Sequence, residues 1–342
     1  MGEPLKFLII GLGSMGKRRV RNLQALGHQR ITGWDRRADR CDEARQRYGI
    51  TIADDAQRAL EQADAVIISL PPDLHVGWAQ RAVAAGKPVF CEASVTDDGL
   101  DDLRARAQAA GVVVFPSCTM RYFPAPRAIR AAVLAGAIGK PLFFTYHSGQ
   151  YLPDWHPWEA LGDYYVSNPV TGGCREIVPF ELAWLTWLFG DVAEVTGSVA
   201  RLGELGVPID DHYHAALRFA DGTRGALTVD VLVRPAVRTM RLVGSAGTLR
   251  WDDAGLAISK ANGPWQDLAL ERGTPEAGYI NPEEPYQQEL GDFIACIARR
   301  APPAYDLAAD HRVLRALYAI EDSARRGTRL RLGPDQHAGA AP

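Results

Sequence analysis

The chain has 342 residues, 47% hydrophobic and 23% charged, and Lys plus Arg (38) nearly balances Asp plus Glu (41), leaving a formal net charge of −3. The length exceeds what one hydrophobic core usually spans, so two domains are expected, and no apolar run is long enough to cross a bilayer. The weak charge excludes recruitment of nucleic acid through the overall field, and a membrane is not an expected partner either.

From residue 5 to about 120, short apolar runs alternate with helical patterns. LKFLIIG precedes a helix over 15–27, ITGWD one over 38–48, AVIISLP one over 75–86 and PVFCE one over 97–110, with VVVFP closing the series. Strands covered by helices on both faces read as continuous apolar runs, so this α/β alternation predicts a doubly wound Rossmann domain with a parallel sheet. At 119–127, TMRYFPAPR breaks the rhythm with two prolines, which sets the end of the first domain (1–121) at Arg121. The second domain, 122–332, is expected to begin with a helix at 125–135, a strand at 141–148, a Trp- and Tyr-rich loop at 149–170 and an apolar helix at 174–189. Extended runs joined by DG and AG turns then predict a large open, mainly antiparallel sheet with helices on one side, an α+β arrangement. Helices at 284–300 and 307–325 follow, and GPDQHAGAAP at 333–342 reads as a disordered tail.

Gly11-Leu12-Gly13-Ser14-Met15-Gly16 is a GxGxxG directly after an apolar strand and at the opening of a helix. In that context Gly11 permits the tight turn, Gly13 lets a pyrophosphate approach the backbone, and Gly16 allows close helix–strand packing. The second strand ends in Asp35, nineteen positions past Gly16, where an acid accepts hydrogen bonds from the adenosine ribose of NAD. Arg36 and Arg37 follow it. Either would clamp the 2′-phosphate of NADP, or both are simply solvated. Cys41, Cys91, Cys118, Cys174 and Cys296 are scattered without a CxxC pair, which suggests neither disulfides nor a zinc site and fits a reducing cytoplasm. No metal is expected.

Taken together, GLGSMG, SLPPDLH (69–75), GKPVFCEAS (86–94) and GGCREIVPFELAWLTWLFGDV (172–192) resemble the Gfo/Idh/MocA oxidoreductases along nearly the whole chain. The resemblance implies NAD or NADP in the first domain and a sugar, inositol or related polyol against the open sheet of the second. It also implies that Leu70, Pro71, His75 and Glu92 lie along the cofactor, with Ser69 nearby. Two departures stand out. The family's usual Glu-Lys-Pro is Glu92-Ala93-Ser94 here, and alignment on WLFG sets Glu176 at the family's Asp position and Phe180 at its His position. Both usual proton handlers are missing.

Glu176 becomes the first candidate for relocated acid/base chemistry, because apolar neighbours would raise its pKa. His156 is the second, in the loop Tyr151-Leu152-Pro153-Asp154-Trp155-His156-Pro157-Trp158, where Trp155 and Trp158 suit stacking on a pyranose. Arg175 would bind a substrate anion or else pair with a neighbouring acid. Tyr165, and Arg121 with Tyr122 at the junction, complete the expected substrate contacts. The expected function is NAD(P)-dependent oxidation or reduction of a sugar's secondary alcohol or ketone, acidic and nucleotide-linked sugars included. A redox-neutral epimerase or lyase that retains NAD, and a non-catalytic dinucleotide-binding protein, are the alternatives. The open sheet predicts a homodimer or homotetramer.

Overall fold

The computed structural model describes residues 4–157, 159–271, 273–275 and 281–333, so Trp158 and the tail from 334 onward lie outside the described residues. The chain forms two compact units, Met1–Phe123 with Arg272–His311, and Pro124–Glu271 with Arg312–Pro342.

In the first unit, strands β1 (Phe7–Ile10), β2 (Ile31–Trp34), β3 (Thr51–Ile52), β4 (Ala65–Ile68), β5 (Val89–Cys91) and β6 (Val114–Pro116) form a parallel sheet in the order β3-β2-β1-β4-β5-β6. The two central strands, FLII and AVII, are buried at every position because helices cover both faces. Those helices are α1 (Ser14–Ala25), α2 (Ala38–Tyr48), α3 (Ala56–Gln62), α4 (His75–Ala84) and α5 (Leu100–Ala110). The sheet order reverses at β1, where β2 lies on one side and β4 on the other. In such sheets the loops after the strands at this point form the ligand crevice.

The second unit begins with α6 (Pro124–Leu134) and β7 (Pro141–Gly149), and then α7 (Cys174–Phe189). Strands β8 (Val192–Ala200), β9 (His212–Phe219), β10 (Arg224–Asp230), β11 (Val237–Gly244), β12 (Gly247–Asp252), β13 (Gly255–Lys260) and β14 (Gln266–Leu268) follow. After helices α8 (Glu284–Arg299) and α9 (Leu307–Arg326), a short β15 (Leu330–Arg331) completes a nine-stranded sheet, β14-β13-β12-β11-β7-β10-β9-β8-β15. Its pairings are antiparallel except β7 with β10, which run parallel because β7 enters the sheet between strands formed much later in the chain. Alternation along the strands turns Phe144, Tyr146, Leu217, Leu227 and Leu242 into the core against α7, whose Val178, Leu182 and Leu185 are fully buried. Each such side chain contributes roughly 1.5–3 kcal/mol by leaving water.

Helix α8 packs with the first unit, beyond the residue 121 boundary drawn from sequence. Its Phe293 ring meets Phe90 and Phe115 edge-on at 5.8 and 5.9 Å, and Leu290 is buried in the same cluster. Among the described residues no helix is long and apolar enough to cross a membrane.

Candidate functional site

The three glycines of the first loop differ in what they must leave room for. A Cβ on Gly11 would lie 2.4 Å from the Ser69 carbonyl oxygen, and its φ of +93° is itself a glycine conformation. A Cβ on Gly16 would lie 1.8 Å from the Gly11 oxygen. These two glycines hold β1, α1 and the turn after β4 together. Gly13 has an ordinary φ of −68°, and a Cβ there would meet only the mobile end of Arg40, at 3.4 Å. Neither packing nor backbone conformation requires glycine at 13, whereas a pyrophosphate drawn against bare backbone does. Gly13 caps α1, no side chain caps it in competition, and Ser14 and Met15 occupy the half-buried first turn, where free N–H groups and the helix dipole favour an anion. This cradle fits the diphosphate of a dinucleotide.

Asp35 lies beside the loop, with Oδ2 accepting the Leu12 N–H at 2.7 Å and Oδ1 the Arg37 N–H at 2.9 Å. Its carboxylate is therefore aimed before any ribose arrives. Arg37 pairs with Asp39, and Arg36 is exposed without an ion-pair partner among the described residues. Sequence reasoning missed Arg40, whose guanidinium sits 3.8 Å from Asp35 and next to Gly13. Its place in the first turn of a helix that starts just after β2 was the available signal.

The turn after β4 carries Ser69, Leu70 and Pro71. Ser69 N–H donates to the Ile10 carbonyl, and His75, buried at the start of α4, bonds the Leu70 carbonyl through Nε2 at 2.8 Å. Glu92 leaves β5 with Oε1 3.5 Å from Ser69 Oγ and is gripped by the buried Arg19 at 2.6 and 3.0 Å. Arg19 also pairs with Glu289 of α8 at 3.0 Å, and Glu289 accepts from Ser117, Thr119 and the Cys118 N–H. Burying one cation between two carboxylates meets the desolvation cost only because every oxygen has a donor. None of this bracing was legible in the sequence. Thus the glycine loop, Asp35, Ser69 and Glu92 converge on one edge of the sheet. Arg121 and Tyr122 belong to the same unit, with Arg121 stacked 4.3 Å from the Tyr305 ring and the Tyr122 hydroxyl donating to Asp292 at 2.8 Å.

In the second unit, Glu176 lies in the first turn of α7 and accepts the Tyr165 hydroxyl on Oε1 at 3.1 Å. Burial pushes its carboxyl up to about 8, against the weaker downward pull of that hydrogen bond. Tyr165 meets the Tyr164 ring edge-on at 6.1 Å, and Tyr164 stacks on His156 at 4.8 Å. His156 Nδ1 lies 3.5 Å from Glu159. Burial, then Glu159 and Glu176, push the Tyr164 phenol up to about 12. The Tyr164 hydroxyl and the Trp155 indole N–H are buried without a hydrogen-bond partner among the described residues. The structure thus joins Glu176, Tyr165, Tyr164 and His156 in one chain of contacts.

Arg175 turns elsewhere. It makes a bidentate pair with Glu321 of α9 at 2.6 and 3.2 Å and donates to the Val170 carbonyl at 2.6 Å, so it braces α7 against α9. Successive helical residues point about 100° apart, which separates Arg175 from Glu176. One turn further, the fully buried Glu181 accepts from Tyr146, Ser148, Trp184 and Arg238, a polar core network the sequence reading did not find. Cys174 donates to the Val229 carbonyl, and burial raises its thiol pKa.

The face of the nine-stranded sheet turned away from α7 has a shallow hollow of about 420 Å³, lined by Thr145, His147, His214, Thr228, Arg241 and Arg250 among others. Phe143 and Trp265, exposed by 50% and 37%, are on the same unit.

Comparison with known proteins bears on both units. The family profile described as "Oxidoreductase family, NAD-binding Rossmann fold" matches residues 5–117, and the "GFO/IDH/MocA C-terminal domain" matches 127–250. The chain is 24% identical over 219 residues to trans-1,2-dihydrobenzene-1,2-diol dehydrogenase of Mus musculus, covering 61% of this chain and 62% of that one, under two thirds of its length. It is 24% identical over 337 residues to D-xylose 1-dehydrogenase (NADP(+)) 2 of Haloferax volcanii, covering 96% and 100%. Levoglucosan dehydrogenase in complex with NADH shares the fold with a TM-score of 0.84 at 19% identity, over 97% of this chain and all of that one. With both profiles matched in tandem and one fold shared along almost its full length, the chain belongs to the Gfo/Idh/MocA oxidoreductase family.

Proposed function

We propose that this protein is an NAD(P)-dependent oxidoreductase that interconverts a CH–OH group and a ketone in a sugar or sugar-derived polyol, with Glu176 exchanging the proton. The observation that carries the cofactor half is Gly13, a glycine kept where only a ligand needs its bare backbone. Relatives named for xylose and levoglucosan support the substrate class. The bound nicotinamide would supply or accept the hydride.

The residues of this chain supply the rest. Tyr165 holds Glu176 by Oε1, and Oε2 has no partner among the described residues, so it is available to a substrate hydroxyl. When an alcohol is oxidised the ionised carboxylate takes the hydroxyl proton, and when a ketone is reduced the protonated acid returns it. A carboxyl raised to about 8 holds useful amounts of both forms near neutral pH. Trp155 Nε1 and the Tyr164 hydroxyl, buried without partners among the described residues, would donate to neighbouring sugar oxygens, and His156 supports Tyr164 through their stacked rings. Ala93 and Phe180, where the family resemblance implies Lys and His, leave no second acid or base at those positions. This favours a second reading, a redox-neutral epimerisation or elimination.

A panel of sugars with NAD or NADP separates the two. Growth of the reduced-cofactor absorbance with a ketone product supports dehydrogenation. An isomerised or dehydrated sugar without net absorbance change moves the assignment to the redox-neutral reaction, and no product with any sugar refutes both.

Asp35 also directs cofactor choice, because a 2′-phosphate beside its carboxylate is repelled, although Arg36 and Arg40 offset part of that. Calorimetry is expected to show NAD binding roughly tenfold more tightly than NADP, about 1.4 kcal/mol, and Asp35→Ser to narrow the gap. Tighter NADP binding by the wild type would contradict this role.

The open sheet face, with Phe143 and Trp265 exposed, is proposed to be covered by a second copy. Light scattering at micromolar concentration is expected to give a dimer or tetramer, and a monomer would contradict it.

A further inference from the structure

In the first unit, a cavity of about 20 Å³ lies among α4, β5, α5, β6 and the start of α9. Its walls are mostly apolar, but His75, Glu92, Ser94 and Asp310 also line it. A space of this size holds about one water, provided two or more polar groups receive it.

Two of the lining groups have unmet hydrogen-bonding capacity that one water can meet. His75 is 1% exposed. Its Nε2 lies 2.8 Å from the Leu70 carbonyl, which can only accept, so Nε2 carries the hydrogen. Burial lowers the imidazole pKa and keeps the ring neutral, so Nδ1 is a bare acceptor, and it has no partner among the described residues. Asp310 is 6% exposed, and its Oδ1 accepts the Tyr305 hydroxyl at 2.9 Å. No protein group among the described residues bonds Oδ2. Buried polar groups in proteins are satisfied, by ordered water where no protein atom reaches them.

We propose that this cavity is a site for one ordered water that joins the Asp310 carboxyl to His75 Nδ1, which makes Asp310 a positioning residue for the turn carrying Leu70. The water donates one hydrogen to Nδ1 and so locks the tautomer with hydrogen on Nε2, the form that holds the Leu70 carbonyl. Burial raises the Asp310 carboxyl to about 7, against pulls from Tyr305 and Arg121 and with a small push from Asp306. Both its forms serve the bridge, since the acid donates to the water and the carboxylate accepts from it. When Asp310 is the acid, the water's second hydrogen is left for Glu92, which Arg19 pairs; when it is the carboxylate, both hydrogens go to Asp310 and His75. The water site stands without the proposed function, whereas its consequence for cofactor affinity rests on Leu70 lying along the dinucleotide.

A high-resolution crystal structure of the full chain without cofactor tests the site itself. The expected result is a solvent peak within about 2.6–3.2 Å of both His75 Nδ1 and an Asp310 carboxyl oxygen. A dry cavity, or direct contact between the two side chains, overturns the proposal whether or not NAD binds. In solution, the ¹⁵N shift of His75 Nδ1 reports whether that atom accepts a hydrogen bond. Asp310→Leu is expected to move it to the unbonded value and weaken NAD binding about threefold to tenfold, the loss of one hydrogen bond. Asp310→Asn, which still bonds water, is expected to restore both. An unchanged shift in Asp310→Leu overturns the bridge, and a changed shift with unchanged NAD affinity overturns the positioning role.

Discussion

Replacing Glu176 by Gln is expected to lower turnover by about 10²–10⁴-fold, the usual worth of a positioned general acid or base. The amide keeps the shape and can still accept the Tyr165 hydroxyl, so folding and substrate affinity change little and the loss falls on kcat. With a carboxyl pKa raised to about 8, oxidation by the wild type should accelerate as pH rises through that value, and reduction should slow above it. The variant loses this limb in both directions. The same shift affects stability. Between the ordinary value of 4.5 and about 8 the unfolded chain releases the Glu176 proton while the folded protein retains it. Stability contributed by the neutral acid is full below about 4.5 and is lost as pH rises through about 8, a slope that Glu176→Gln should flatten in melting curves. Normal turnover in the variant would remove Glu176 from the mechanism, and His156→Ala would then be the decisive substitution.

Alanine at Gly16 and alanine at Gly13 should give opposite kinds of damage. At Gly16 the new Cβ falls 1.8 Å from the Gly11 oxygen, a clash of backbone with backbone that cannot be relieved by a rotamer. The expected cost is about 3 kcal/mol, at the upper end for overpacking, seen as a fall in melting temperature. At Gly13 the Cβ meets only the end of Arg40. Gly13→Ala should therefore melt like the wild type while losing about 30-fold in dinucleotide affinity, the worth of two backbone hydrogen bonds to the diphosphate held at a distance. A Gly13→Ala protein that melts normally and binds normally would mean that the anion rests elsewhere.

The first sheet was legible because its central strands, FLII and AVII, are buried on both faces and read as unbroken apolar runs. Helix α3 was missed between 48 and 65 although Asp55 caps it, its Oδ1 accepting the Arg58 N–H at 2.6 Å. Seven residues are too few for a periodic pattern to stand out. The parallel β7–β10 pair was hidden for another reason, since hairpin turns show which neighbours in sequence pair but not which distant strand slips between them. An amphipathic helix such as α8 likewise declares an apolar face without naming the core that takes it. Among the site residues, Gly11, Gly13, Gly16 and Asp35 carry signals in type and spacing. Arg175 does not, because its commitment to Glu321 depends on a residue 146 positions later.

Calorimetric titration of the wild-type protein with NAD and NADP, oxidised and reduced, bears most directly on the claim that the bare backbone at Gly13 receives a dinucleotide diphosphate. Saturable binding of at least one of them, lost in Gly13→Ala at unchanged melting temperature, is the predicted result. No heat with any of the four would contradict it.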